Sequence, residues 1–317
     1  MDLKKTALRA ALAAVALALA APCLAETRAE KLRAKLDSGD RSYVFVTMHR
    51  GDWRHAPENS VDAIKGAIAM GADIVELDVA ITKDGHYVLL HDGALDRVSN
   101  GKGKSISLTL DEIRQYRLKG IDGKTITDYK ILTLEEAFAL TRGKILVNLD
   151  KFGRDPEGIA KFVKKHGMEK EVILKERFSP KELKKKVGDE IWKDLVDGKL
   201  CYMPIIWINK EQKKFEAWQK SELKPAAYEL CVKKEKPRAV LDTLAAETGK
   251  GGARIWINTL WDELCAGRTD DRGYNGDPDG SWGWWLKHGA TMLQTDRPAE
   301  LLKYLEKIGR RTSAAAK

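Results

Sequence analysis

Nine short runs rich in β-branched and aromatic residues alternate with helical patterns along this chain, and that rhythm constrains its fold most. The runs are SYVFVTMH, ADIVELDV, HYVLLHD, KILVNLD, EVILKE, LCYMPIIW, AAYELCV, RIWINTL and ATMLQTD. Between most of them lie patterns such as NSVDAIKGAIAMG, TLEEAFALT, DPEGIAKFVKKHG and PAELLKYLEKIG. Strand followed by helix calls for a parallel sheet, because parallel neighbours need a long crossover. Nine strands are one more than an eightfold barrel uses. Between IVELDVAIT and HYVLLHD stands only KDG, too short for a helix, and Asp84-Gly85 is a hairpin-turn pair. The chain is therefore expected to be an α/β protein, a (β/α)8 TIM barrel whose hairpin carries His91 over the C-terminal mouth. No GxGxxG turn supports an open, doubly wound sheet instead.

The first 25 residues fall outside that rhythm. Lys4, Lys5 and Arg9 precede the unbroken Ala, Leu and Val of Ala10–Ala21, and Cys23-Leu24-Ala25 offers small residues for cleavage. This is the layout of a secretory signal peptide, too short in its apolar part for a membrane span. Residues 1–25 are expected to be removed and 26–317 to form one exported, periplasmic or secreted, barrel domain. Cys201, Cys231 and Cys265 would then meet an oxidising compartment, which permits one disulfide among them. Glu26–Asp40 reads as a short charged helix, residues 93–130 as a polar insertion at the rim, and Arg310–Lys317 as a frayed tail. The net charge of +9 is carried largely by lysine-rich helices, as in KELKKKVGDE. It suits a solvated surface or attraction to anionic lipid and phosphorylated substrates; nothing resembles a nucleic-acid module. No feature fixes an oligomeric state.

Chemistry concentrates in MHRGDWRHAPENS, residues 48–60, and IVELDVAITKDGHYVLLHD, residues 74–92. His49 sits at a strand end, where a barrel of this class gathers its functional groups. Glu76 and Asp78 are two apart on a strand and share a face. That face should be the barrel interior, since Val75, Leu77 and Val79 can pack under the helices. Two buried carboxylates need a partner, and a hard divalent cation, Mg²⁺ or Ca²⁺, is the natural one. Asp150, ending ILVNLD on the next strand, is placed to be a third ligand, with Asn148 on its face. An ion pair with Lys175 or Arg50 is the structural alternative. Trp256, which shares a strand face with Asn258, and Trp53 are candidates to grip a substrate. Trp282, Trp284 and Trp285 sit in a late Gly- and Asp-rich loop. His55, His86, His166 and His288 read as structural.

These residues resemble the glycerophosphodiester phosphodiesterases. The likeness rests on His49-Arg50-Gly51, Pro57-Glu58-Asn59-Ser60, Glu76-Leu77-Asp78-Val79, Thr82-Lys83-Asp84-Gly85 and His91-Asp92, continues in LDRVSNGKG, and closes with GATMLQTDRPAELLKYL. The resemblance implies a small-molecule phosphodiester substrate, with glycerol 3-phosphate and an alcohol as products. It implies His49 and His91 as the acid/base pair, Glu76 and Asp78 as metal ligands, and Arg50 on the phosphate. One motif departs from the family's Glu, apolar residue, Lys: this chain has Asn148-Leu149-Asp150-Lys151. Asp150 can replace the glutamate, and the phosphate-binding lysine is then Lys151 at an irregular strand end or Lys175 from the following strand. Rival expectations are a phospholipase D-like or inositol-phosphodiester-cleaving enzyme that leaves a cyclic phosphate, and a head-group-binding barrel without activity. An exposed apolar rim on the insertion would favour a lysophospholipid substrate.

Overall fold

The computed structural model describes residues 26–208, 210–233 and 253–311; the expected signal peptide lies outside them. Eight parallel strands close into a barrel: β1 (Phe45–Met48), β2 (Ile74–Ile81), β4 (Leu146–Asp150), β5 (Val172–Glu176), β6 (Cys201–Trp207), β7 (Ala227–Cys231), β8 (Arg254–Asn258) and β9 (Met292–Thr295). Closure comes from β9 pairing with β1, and β1 with β2. The ninth strand, β3 (Tyr87–Leu89), runs antiparallel to β2, and Gly85 takes the left-handed φ of 82° that the tight turn requires. The expected barrel-plus-hairpin arrangement is the one found.

Side chains alternate along each strand as the pleat dictates. Val75, Leu77, Val79, Val147 and Leu149 face outward into the apolar layer beneath the helices. Facing inward, Phe45, Ile74, Leu146, Ile173, Met203, Trp256 and Met292 fill the lower barrel. The expected first helix, α1 (Arg28–Asp37), begins at a Thr27/Glu30 capping box and seals that lower end with Ala29, Leu32 and Leu36. Among the helices outside the barrel, α2 (Val61–Ala69) follows β1. The insertion builds a small core of its own, Leu95, Ile113 and Leu118, against Val88 and Leu90 of the hairpin arm.

One expectation changes, and one open alternative closes. The tail does not fray at its start: Arg311 ion-pairs with the buried Asp73, and Arg310 donates to the Arg41 and Ser42 carbonyls. Asp73 is buried at the barrel's lower end, and Arg311 supplies it with a cation. All three described cysteines are buried and free, so no disulfide forms among them.

Candidate active site

The sharp turn after β1 explains the His-Arg-Gly triplet. Arg50 and Gly51 both take left-handed backbone, with φ of 55° and 76°. A Cβ at position 51 would lie 2.6 Å from the Ala63 carbonyl oxygen, so glycine is required there. The turn brings the Arg50 amide within 3.0 Å of Glu76 Oε2. Further along, Asn59 donates from Nδ2 to Asp78 Oδ2 at 3.1 Å and accepts from the Asp78 amide at 3.3 Å. The first motif thus holds both carboxylates of the second.

Glu76 and Asp78 stand opposite Asn148 and Asp150 in the β2–β4 register. One oxygen from each of Glu76, Asp78 and Asp150 lies within 4.8 Å of the others. Burial and the neighbouring Asp78 push the Glu76 carboxyl up to about 7. Burial pushes Asp150 the same way, but Lys175 and Lys151 outweigh it and hold that carboxyl well below its usual range. Two cations approach the cluster. Arg50 Nε is 3.3 Å from Asp78 Oδ2 without being aimed at it as a hydrogen bond, and Lys151 Nζ is 2.8 Å from Asp150 Oδ2 and 4.0 Å from Asp78 Oδ1. Asp78 Oδ1 is buried with no hydrogen-bond donor at all. An oxygen-only set with an unsatisfied member fits a hard divalent cation.

Lys151 leaves the strand in a left-handed conformation (φ 63°), the irregular strand end expected, and this carries its side chain back toward the carboxylates. Lys175, almost fully buried, pairs instead with Glu229 on β7 at 3.1 Å. Burial opposes its charge, yet Glu229, Asp150 and Glu76 together keep it firmly protonated. Arg50 also contacts Glu58 through Nη1 at 3.1 and 3.2 Å.

Both histidines are backed by a carboxylate. His49 Nδ1 lies 2.9 Å from Asp296 Oδ1, and His91 Nδ1 lies 2.7 Å from Asp92 Oδ1. A carboxylate can only accept, so Nδ1 carries the proton in each neutral ring and Nε2 keeps the lone pair. Burial lowers the His49 pKa, but the Asp296 hydrogen bond and the charges of Glu76 and Asp296 raise it further, for a net upward shift. His49, His91, Asp150, Lys151 and Lys175 line one cavity of about 280 Å³ at the barrel mouth, with Trp207 and Trp261 on its walls.

Trp256 is not among the groups brought together there. Its indole is fully buried in the lower barrel, donates to Asn258 Oδ1 at 2.6 Å and lies beneath Lys175, as an inward position one layer deep must. The exposed aromatic at the mouth is Trp261, whose ring centroid is 6.1 Å from that of His49. Trp53 donates to Asp296 at 2.6 Å, while Trp282 and Trp285 are core residues. His166 and His288 pack on Phe162 and Trp284 as structural residues.

A model of the glycerophosphoryl diester phosphodiesterase family matches residues 49–193, which contain His49, Arg50, all three clustered carboxylates and His91. Through these residues, the chain is similar to the glycerophosphoryl diester phosphodiesterase family. Residues 202–305 match a domain of unknown function. In this chain that second stretch is no separate unit: it supplies β6–β9, completes the barrel, and contributes Glu229, Trp261 and Asp296 to the mouth. The glycerophosphodiester phosphodiesterase of Caldanaerobacter subterraneus subsp. tengcongensis is 37% identical over 150 residues, 44% of this chain and 62% of its own. Human glycerophosphodiester phosphodiesterase 1 is 40% identical over 105 residues, 31% of this chain and 30% of its own. The matched region thus spans less than two thirds of either relative. A glycerophosphoryl diester phosphodiesterase from Parabacteroides distasonis shares the fold with a TM-score of 0.71 at 22% identity, covering 88% of this chain and 92% of that one. An Oleispira antarctica phosphodiesterase, solved with the product sn-glycerol-3-phosphate, has a TM-score of 0.59 at 20% identity over 83% and 96%.

Sequence reasoning passed over Asp296, Asp92 as a partner of His91, and Glu229. Asp92 was legible, being adjacent to His91. Asp296 is 247 residues from His49 and meets it only because β9 closes against β1.

Proposed function

We propose that the protein is an exported, divalent-metal-dependent glycerophosphodiester phosphodiesterase that releases glycerol 3-phosphate and an alcohol. The observation that carries the reading is the mouth itself: two carboxylate-backed imidazoles and a member of a three-carboxylate cluster face one cavity. The named relatives and the product-bound neighbour agree with that chemistry.

Glu76, Asp78 and Asp150 would hold the cation, Mg²⁺ or Ca²⁺, whose contribution is to neutralise charge on the phosphate oxygens. Lys151, displaced from Asp150, and Arg50 would bind the same oxygens. Lys175 stays with Glu229 beneath them. One histidine accepts a proton at Nε2 from the attacking hydroxyl. The other, protonated, gives one from Nε2 to the departing alkoxide, and Asp296 and Asp92 stabilise the imidazolium on either side of that exchange. The attacker is the substrate's glycerol 2-hydroxyl, by way of a cyclic phosphate, or water. The chain from Glu26, the expected mature start, works outside the cytoplasm. No helix among the described residues is long and apolar enough to cross a membrane.

A lysophospholipid-type substrate is a second reading. It gains from Ile106, Ile121 and Ile126, all exposed on the insertion, at 55%, 62% and 46%.

Incubating the chain from Glu26 with glycerophosphocholine and Mg²⁺ or Ca²⁺, followed by phosphorus NMR, tests the proposal. Chelator-sensitive glycerol 3-phosphate is expected. Inertness toward a panel of glycerophosphodiesters, with turnover of a lysophospholipid, would transfer the assignment to the second reading.

A further inference from the structure

The insertion reaches the reaction centre through one side chain. Arg97 lies in the segment following the hairpin arm, and its guanidinium makes two sets of contacts. Nη1 and Nη2 bind the two oxygens of Glu58 at 2.7 and 2.8 Å, a bidentate pair. Nε binds Asp92 Oδ2 at 2.7 Å, with Nη2 3.4 Å from Asp92 Oδ1. Asp92 holds His91, and Glu58 holds Arg50. The contacts therefore run without a gap from His91 through Asp92, Arg97, Glu58 and Arg50 to Asp78.

We infer that Arg97 is a positioning residue: it sets the orientation of His91 through Asp92 and of Arg50 through Glu58, locking the insertion to the catalytic mouth. This rests on the proposed activity for its kinetic consequence but not for its geometry. Exposed ion pairs ordinarily contribute little, and the Arg97 side chain is 46% exposed. Networks with bidentate geometry are the exception, and Glu58 is only 17% exposed. The Arg97 hydrogen bond is the largest influence holding the Asp92 carboxyl down at about 2, so Asp92 stays an acceptor for His91 Nδ1–H. Lysine could meet either carboxylate but not both in this fork. No other described residue bridges the two acids.

The test uses Arg97→Met and Arg97→Lys with two readouts. Nitrogen-15 NMR of the imidazoles needs no substrate: the wild-type His91 ring should show a single Nδ1–H tautomer, and Arg97→Met should give mixed tautomers while His49 is unchanged. In turnover of glycerophosphocholine, kcat should fall at least tenfold in both variants with a smaller rise in KM, since Arg97 reaches the substrate only through His91 and Arg50. Combining Arg97→Met with Asp92→Asn should cost clearly less than the sum of the two, because both act on the His91 ring and only the hold of Arg97 on Arg50 is left to add. A His91 tautomer indifferent to Arg97 overturns the inference even if the enzyme is inactive on every phosphodiester tried. Strict additivity of the two substitutions in an active enzyme overturns it as well. A wild type that turns over none of the panel, with the tautomer shift present, refutes the proposed substrate and leaves Arg97 in its role.

Discussion

Two walls of the same barrel bury acidic groups, and they treat them differently. On the β5/β7 side, Glu229 is matched by one cation: Lys175 Nζ lies 3.1 Å from Oε2, Asn258 donates to Oε1 at 2.9 Å, and Glu229 and Lys175 are both nearly inaccessible. Charge is balanced within the protein by that one pair. On the β2/β4 side, three carboxylates crowd together, Arg50 stands off-axis, Lys151 is engaged chiefly by Asp150, and Asp78 Oδ1 has no donor. A further acid shows that a cation is not the sole solution. Asp270, buried at the start of a short helix after β8, accepts from Thr259, Thr295, Trp282 and the Asp296 amide. The chain can satisfy a buried carboxylate with one cation or with four neutral donors. Where it does neither, the site is built for something from outside.

The largest test of that contrast is to remove one of the unsatisfied acids. Asp78→Asn should lower kcat by roughly 10³-fold or more, and the rise in Tm that Mg²⁺ or Ca²⁺ gives the wild type should vanish. An undiminished thermal shift would make the two walls equivalent. On the other wall, Lys175→Met strands Glu229 and should cost about 3–5 kcal/mol in urea unfolding, with Lys175→Met/Glu229→Met recovering most of it. A neutral single substitution would mean the pair is not the closed unit described. Asp296→Asn leaves the carboxylate cluster untouched but loosens His49, and should lower kcat on the order of 10²-fold with the metal-dependent Tm shift retained.

The smallest effect is a pH dependence. Burial raises Asp270 from 3.8 to about 6 against the opposing influence of its donors. The folded state then binds this proton more tightly than the unfolded chain. Its contribution is most favourable below about pH 4 and is lost as pH rises through about 6. The wild type should therefore lose roughly 2–3 kcal/mol more between pH 4 and 7 than Asp270→Asn does. Equal pH profiles would show that the four donors fully compensate burial.

Much of this was open to reading in the chain. The period-2 runs, the helical spacers and Asp84-Gly85 specified eight strands and a hairpin, and the spacing of Glu76 and Asp78 put both on the inner face. What escaped depends on closure or depth. Asp296 and His49 belong to opposite ends of the sequence, and only barrel closure makes them neighbours. Trp256 lies on the correct face, but one layer too low to reach a substrate, and strand periodicity tells face and not depth. Arg311 looked like tail because its partner, Asp73, is buried at the start of a distant strand.

The central claim is that one doubly charged ion belongs among Glu76, Asp78 and Asp150. Anomalous diffraction from a crystal soaked in Mn²⁺ tests it most directly. The expected result is one strong peak in contact with an oxygen of each carboxylate, with Lys151 drawn away from Asp150. A map without a peak there, Lys151 and Arg50 still occupying the acids at saturating metal, would contradict the account.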